Sequence, residues 1–284
     1  MNKGPSYMTE LPAAPDVTFI GGGNMARSLI GGLLAGGASA ARIHVAEPVE
    51  ALRTALAKDF NVDLHADAMS AAACGRVWVM AVKPQVMKIV CESLSTLAIA
   101  QRPLVISIAA GITTNQIARW LGARTAIVRS MPNTPALLGA GITGLYATPE
   151  TSAEDRSVAD RLLRAAGTTV WVEEESLMDA VTAVSGSGPA YVFLLAQSLM
   201  EAGVKEGLDP TQAEALANQT LLGAARMLTE SGETAEVLRQ RVTSPNGTTQ
   251  AAIESFQADQ FEAIVARAVH AARVRGAELS AANE

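Results

Sequence analysis

Cysteine is scarce in this chain: Cys74 and Cys91 are the two among 284 residues. No disulfide framework is therefore implied, and a reducing compartment fits. Neither cysteine has a histidine beside it in sequence, so both read as packing residues rather than nucleophiles. Histidine is as sparse. His44, His65 and His270 fall in a strand, a loop and the last helix, so none stands at a candidate site as a general base. Basic clusters are missing too: 22 Lys and Arg lie scattered against 28 Asp and Glu, for a net charge of −6. That balance argues against nucleic acid or an anionic membrane surface as partner and leaves small molecules or other subunits. Long apolar runs are absent, since the longest uncharged stretch, 180–200, is interrupted by Ser185-Gly-Ser-Gly-Pro189. The opening residues are rich in Pro, Gly and polar side chains and lack the apolar centre of a signal peptide. Residues 1–14 are read as a disordered tail and the protein as soluble and cytoplasmic.

What is present is an alternation. Between Asp16 and Glu174 the apolar runs VTFI at Val17, IHVA at Ile43, VWVMAV at Val77, LVISIA at Leu104, AIVRSM at Ala126 and TTVWV at Thr168 are separated by alanine-rich helical stretches. Continuous apolarity over so few residues predicts strands covered on both faces, as in a parallel sheet with crossover helices. GITGLYA at Gly141 and a helical stretch 152–166 extend that pattern. Beyond Glu175 no convincing strand remains, and helices are expected at 177–184, 189–206, 210–229, 233–241, 248–256 and 259–281. Several, such as Tyr191-Val-Phe-Leu-Leu-Ala196, are apolar on more than one face, more surface than a small helical domain can bury by itself. The expectation is an α/β fold: a doubly wound Rossmann-type sheet over 15–174, then an all-α domain over 175–284 that binds substrate and forms the interface of a homo-oligomer.

Three groups of residues carry the chemistry. Val17-Thr-Phe-Ile-Gly21-Gly-Gly23-Asn-Met-Ala26 runs from a strand through a glycine turn into a helix, with Gly21, Gly23 and Ala26 at the three positions of the dinucleotide fingerprint. The second strand ends at Glu47, roughly 20 residues on, where an acid suits the ribose hydroxyls of NADH and disfavours the extra phosphate of NADPH; Arg53 follows on the next helix. A solvated loop acid is the other reading of Glu47. Met80-Ala-Val-Lys83-Pro84-Gln and Ser107-Ile-Ala-Ala-Gly111 leave the carboxyl ends of parallel strands, where ligands of open α/β sheets bind. The proline holds Lys83 extended. Arg129-Ser-Met-Pro-Asn133-Thr-Pro is a rigid loop in which Asn133 is a candidate for the nicotinamide end, and Ser187 is a candidate cap for the helix opened by Pro189.

The third group is Val242-Thr-Ser-Pro-Asn-Gly-Thr-Thr-Gln250. Pro245-Asn-Gly247 turns the chain and Thr248 and Thr249 begin the next helix, so backbone N–H groups and hydroxyls converge without a charged side chain. That suits a carboxylate, although a capped turn has the same residues. The missing general base argues for an imine substrate, which arrives protonated and accepts hydride directly.

In these segments the chain resembles the pyrroline-5-carboxylate reductase family, through FIGGGNMA at Phe19, AVKPQ at Ala81, SIAAG at Ser107, RSMPNTP at Arg129, TAVSGSGPAY at Thr182 and VTSPNGTT at Val242. The resemblance implies NAD(P)H-dependent reduction of L-1-pyrroline-5-carboxylate to L-proline, the last step of proline biosynthesis, with NADPH or NADH as cofactor and no metal. It implies cofactor contacts at Ile20, Gly21, Gly22, Gly23, Asn24 and Met25, at Ala81, Val82, Lys83 and Pro84, and at Ile108, Ala109 and Ala110, with Glu47 beside them. It places the substrate carboxylate on Ser244, Asn246, Gly247 and Thr248 and the ring nitrogen on Thr249, the catalytic position. It also implies a homodimer through the C-terminal helices, with assembly into a decamer. The family usually has glycine where this chain has Asn246, a residue that tolerates a left-handed backbone. Two other readings are a reductase for a related cyclic imine or a β-hydroxy acid, and a nucleotide-sensing protein without catalysis. The hydroxy-acid reductases place a lysine on the long interdomain helix, and 187–200 contains none.

Overall fold

The computed structural model describes residues 16–122 and 124–282. The expected tail, 1–14, lies outside them. By packing, the chain divides into two units, one reaching to Gly186 and resuming at Arg273, the other Ser187–Ala272. The sequence-based boundary at 174/175 falls before that division.

The first unit is built on eight strands, β1 (Val17–Ile20), β2 (Ile43–Ala46), β3 (Asp63–His65), β4 (Val77–Met80), β5 (Leu104–Ser107), β6 (Ile127–Met131), β7 (Gly141–Ala147) and β8 (Gly167–Trp171). They lie in the order β3-β2-β1-β4-β5-β6-β7-β8. All neighbours are parallel except β6 and β7. Six apolar runs and the GITGLYA segment thus became strands. β3 is a correction: Asp63-Leu-His65 carries no apolar run, and His65, expected in a loop, is in an edge strand paired only with β2.

The strands alternate their side chains between two cores. Phe19, Val45, Val79 and Ile106 face one core, covered by α1 (Asn24–Ala35), α2 (Glu50–Phe60) and α6 (Ala153–Leu163). Ile20, Trp78, Met80 and Val105 face the other, covered by α3 (Ala68–Ala72), α4 (Pro84–Gln101) and α5 (Thr114–Leu121). Cys91 is buried in that second core, as its packing role requires, whereas Cys74 is exposed. Both faces being covered explains why the strands read as continuous rather than alternating apolar runs. The winding reverses between β1 and β4, so their carboxyl ends open a crevice suited to a ligand.

After β8 come α7 (Met178–Val181) and a π-helical turn at Thr182–Gly186. The second unit holds α8 (Gly188–Lys205), α9 (Pro210–Glu230), α10 (Ala235–Arg241) and α11 (Thr248–Ala258), then most of α12 (Phe261–Ala282). The last turns of α12 belong to the first unit, where the Gln116 side chain donates to Ser280 O at 3.2 Å. Pro210 at the start of α9 and a reciprocal Asp209/Gln212 capping box explain the sharp entry of that helix. Ser187 does occupy the cap of α8, but it lies in the helical region and its hydroxyl makes no cap bond, because the π-helical turn runs straight into it.

The apolar side chains expected to form an interface are open on the second unit. Phe193 is 66% and Leu194 64% exposed, and Leu216, Leu222 and Met227 are exposed as well. Only Ala213, Ala217 and Leu238 are buried there. The prediction that these helices carry more apolar surface than one chain can hide is met.

Candidate active site

The turn after β1 is fixed from three sides. Gly21 has a φ of 106°, and a Cβ there would sit 2.6 Å from Ala81 O, so no other residue fits without displacing backbone. The Gly21 N–H donates to Ala46 O at 2.9 Å, tying the turn to the end of β2. A Cβ on Gly22 would meet Leu56 Cδ1 at 2.5 Å, which gives the middle glycine a packing role that the fingerprint spacing does not require. Gly23, by contrast, has nothing within 4 Å of the position its Cβ would take. It caps α1 without a side-chain bond, and the helix has no acidic residue in its first turn. An open glycine backbone at a helix N-terminus fits the pyrophosphate of a dinucleotide. Ala26, the third fingerprint position, is buried against the sheet.

Glu47 is neither a solvated loop acid nor a free carboxylate. It is 6% exposed, and both of its oxygens accept backbone N–H groups: Oε2 from Gly22 at 3.1 Å and Oε1 from Val49 at 3.0 Å. Arg53 braces the same loop, its Nη1 donating to Glu47 O and Pro48 O at 2.7 Å each. The acid that the sequence placed beside the cofactor is thus a strut for the glycine turn.

The other expected cofactor segments gather along the same edge. Ala81 N–H donates to Ile20 O at 2.9 Å and Ile108 N–H to Met80 O at 3.2 Å, so the exits of β1, β4 and β5 are stitched side by side. Ile20 and Ala109 are buried and would offer only backbone, whereas Ala81, Val82, Pro84, Met25 and Ile108 are half-buried and Asn24 and Ala110 exposed. Lys83 is exposed with ψ at 145°, extended as the following proline demands, and Pro84 begins α4. Ser107 Oγ accepts from Ala109 N–H at 3.3 Å and Ser130 Oγ donates to Ser107 O at 2.8 Å, holding the exit of β5 against β6.

The RSMPNTP loop departs from expectation. Asn133 is buried at 9% exposure; its Nδ2 donates to Ser185 O at 3.1 Å and its Oδ1 accepts from Ile142 N–H at 3.0 Å. Both ends of its amide are engaged, so Asn133 is a brace between this loop, β7 and the π-helical turn rather than a lining residue. Arg129 is likewise internal: Nη1 lies 3.1 Å from Glu175 Oε1 and Nη2 3.6 Å from Asp179 Oδ1. Thr114 also binds Glu175, through its N–H at 2.7 Å and its hydroxyl at 2.6 Å. The sequence reading missed this buried network. Its one signal was the closeness in sequence of two acids, Glu175 and Asp179, to the start of the helical half.

On the second unit the turn is formed as its residues suggested. Gly247 N–H donates to Ser244 O at 3.0 Å, with Pro245 and Asn246 at the corners and Asn246 left-handed at φ 58°. α11 then starts at Thr248 with Gly247 as its cap and no side-chain cap bond. The hydroxyls of Ser244, Thr248 and Thr249 make no hydrogen bond among the described residues, whereas Thr243 Oγ1 donates to Arg239 O at 2.7 Å. Gln250, passed over in the sequence, reaches back from the first turn: its Oε1 accepts from Asn246 N–H at 2.7 Å and its Nε2 donates to Glu254 at 2.7 Å. The turn is locked from behind while the hydroxyls and the first N–H groups of α11 stay available.

Known proteins share both units. A family model described as pyrroline-5-carboxylate reductase dimerisation matches residues 175–279, and one described as NADP oxidoreductase, coenzyme F420-dependent, matches 16–111. The pyrroline-5-carboxylate reductase of Pseudomonas aeruginosa is 50% identical over 94% of this chain and 98% of its own length. The structure of the enzyme from Coxiella burnetii superposes with a TM-score of 0.91 at 41% identity, covering 94% of this chain and 99% of that one. That from Plasmodium falciparum, with NADP bound, superposes with a TM-score of 0.81 at 27% identity over 94% and 99% of the two chains. No helix among the described residues is long and apolar enough to cross a membrane.

Proposed function

The chain belongs to the pyrroline-5-carboxylate reductase family, and from that premise we infer that it reduces L-1-pyrroline-5-carboxylate to L-proline with NAD(P)H, closing proline biosynthesis. The observation that carries the reading is the turn at 243–249, where the unpartnered hydroxyls of Ser244, Thr248 and Thr249 meet the first N–H groups of α11, donors suited to a carboxylate. The Gly21–Gly23 turn holds the pyrophosphate, and Ala81–Pro84 and Ile108–Ala110 flank the dinucleotide. When bound, the nicotinamide supplies the hydride.

Ser244 and Thr248 hold the substrate carboxylate by charge-assisted hydrogen bonds, at a turn shaped by Asn246 and Gly247, whose N–H groups are taken by Gln250 Oε1 and Ser244 O. Thr249 hydrogen-bonds the ring nitrogen and so fixes which face of the C=N bond is presented. The imine arrives with its proton on nitrogen, so reduction at carbon leaves a neutral amine and no side chain has to act as a base. Glu47 supports the turn that receives the cofactor, its carboxylate accepting the Gly22 and Val49 N–H groups. The functional division is at 174/175, where the match to the dimerisation model begins. The exposed leucines and Phe193 of α8 and α9 are covered in a homodimer, and the dimers assemble further, into a decamer. Two free cysteines suit the reducing cytoplasm.

The deciding experiment follows oxidation of NADPH and of NADH by the purified protein with pyrroline-5-carboxylate, with proline quantified in parallel. Proline should form in step with cofactor oxidation. Absence of oxidation with both cofactors would remove the assignment.

A further inference from the structure

The edge of the sheet farthest from β8 gathers side chains that the reduction does not use. In the β2/β3 ladder His44 stands opposite Asp63, and His65 follows two residues later on the same face of β3. Asp63 Oδ2 lies 2.8 Å from His44 Nδ1 and 3.0 Å from His65 Nε2, with the two rings 5.9 Å apart and inclined at 54°. Cys74 comes to the same point from the segment after α3. The four ligand atoms all lie within 4.8 Å of one another. Cys74 Sγ has one hydrogen bond, at 3.4 Å to Ser70 O in the turn before it.

A zinc-class ion with nitrogen ligands at about 2.0–2.1 Å and sulfur at about 2.3 Å has ligand–ligand edges of roughly 3.3–3.8 Å. The cluster already approaches that size. Its donors are two imidazoles, a thiol and a carboxylate, a set that suits a borderline transition metal and not magnesium or calcium, which prefer oxygen throughout. The imidazoles are half-buried, which fixes their orientation, while Asp63 and Cys74 are open to solvent and leave a way in. Two histidines hydrogen-bonded to one aspartate would be complete without a metal; the exposed thiol brought to them from a third segment is what a hydrogen-bonded pair does not call for.

We propose that His44, Asp63, His65 and Cys74 form a binding site for a divalent transition-metal ion of the zinc class, clamping β3 and the end of α3 to β2. The clamp bears on the cofactor turn, because Glu47 N–H donates to His65 O at 3.0 Å and the Glu47 carboxylate holds Gly22. The site takes no part in hydride chemistry and stands whether or not the assigned reaction is correct.

The full-length protein, stripped with a chelator, is titrated with Co²⁺ alone and with Zn²⁺ alone. Cobalt should give tetrahedral d–d absorption and a thiolate-to-cobalt charge-transfer band, both abolished by zinc. Thiol reactivity supplies an independent readout. Cys91 is fully buried and its thiol is pushed up to about 12 by that burial, so the fast-reacting thiol is the exposed Cys74. Zinc should slow that reaction by more than roughly tenfold. Zinc should also raise the Tm of the wild type and leave that of Cys74→Ser and His44→Gln unchanged. Cobalt binding without the charge-transfer band, an unaltered band in Cys74→Ser, or a Cys74 reactivity indifferent to zinc would each overturn the proposal. If either variant fails to fold, thiol protection in the wild type decides.

Discussion

The glycine turn after β1 and the polar turn before α11 solve the same problem, presenting backbone N–H groups to an anion, by opposite means. The first is held from within: Gly21 is wedged against Ala81 O, Gly22 against Leu56, and the Glu47 carboxylate engages the Gly22 and Val49 N–H groups. The second is closed by the Gly247 N–H on Ser244 O and braced from behind through Thr243 and Gln250, and the hydroxyls of Ser244, Thr248 and Thr249 are without protein partners among the described residues. The surroundings differ in the same sense. The first unit buries its strands on two faces, while the second leaves Phe193, Leu194 and Leu216 open. A cofactor shared by many reactions is met by a rigid, internally complete mould. On the proposed reading, a substrate-specific carboxylate is met by donors that have no protein partner among the described residues.

Gly21→Ala should break the contrast most severely. The added methyl meets Ala81 O at 2.6 Å on a backbone of φ 106°, and strain of that kind costs on the order of 1–3 kcal/mol. Nucleotide affinity, read by quenching of intrinsic fluorescence, should fall by about tenfold or more, with a lowered Tm. Retained affinity would show that the mould is not rigid.

Thr249→Val tests the other turn. The loss of one hydrogen bond to substrate, about 1–3 kcal/mol if the partner is left desolvated, should appear in kcat/KM for pyrroline-5-carboxylate. Nucleotide affinity and Tm should stay as they were, because the Thr249 hydroxyl has no hydrogen-bond partner among the described residues. A drop in Tm would make it structural.

Glu47→Gln distinguishes strut from ribose ligand. One of its two N–H contacts must be lost, costing about 1 kcal/mol, and a loosened turn weakens NADH and NADPH alike. Removing a charge beside the ribose would instead improve NADPH selectively, so the ratio of the two dissociation constants separates the roles.

The smallest effects are expected where no donor to a ligand is removed. Asn246→Gly should change stability by under about 1 kcal/mol, since asparagine accepts the left-handed region at little penalty, and KM should move little. Asp160 is a control in the first unit. Burial works against its charge, but the side-chain bonds from Arg164, Thr169 and Trp171 outweigh it and hold its carboxyl below the ordinary value. Its contribution is therefore present above the unfolded carboxylate range and lost as pH falls through the folded one. The urea midpoints of wild type and Asp160→Asn should differ near neutrality and converge in acid.

Much of this was legible in the chain. The strands were readable because parallel strands covered on both faces are written as unbroken apolar runs, and the glycine turn because its position after the first strand is a matter of local backbone. The helices after Glu175, the turn Pro245-Asn246-Gly247 and the start of α11 at Thr248 are local as well. β3 escaped notice because an edge strand needs no apolar run and is made by pairing with β2. Ser187 was read as a cap from its type, yet capping depends on a backbone direction that the π-helical turn sets.

The sequence by itself determined which elements form, where chain direction reverses, and which residue types could meet an anion, because these rest on periodicity and on neighbours a few residues apart. Only the tertiary structure decided what each polar group does. It engaged Glu47 with Gly22, engaged Asn133 and Arg129 in buried bracing, freed Thr249, and carried Cys74 to His44, Asp63 and His65. Those outcomes depend on which distant partner occupies a donor or acceptor first, and that is set by strand order and packing.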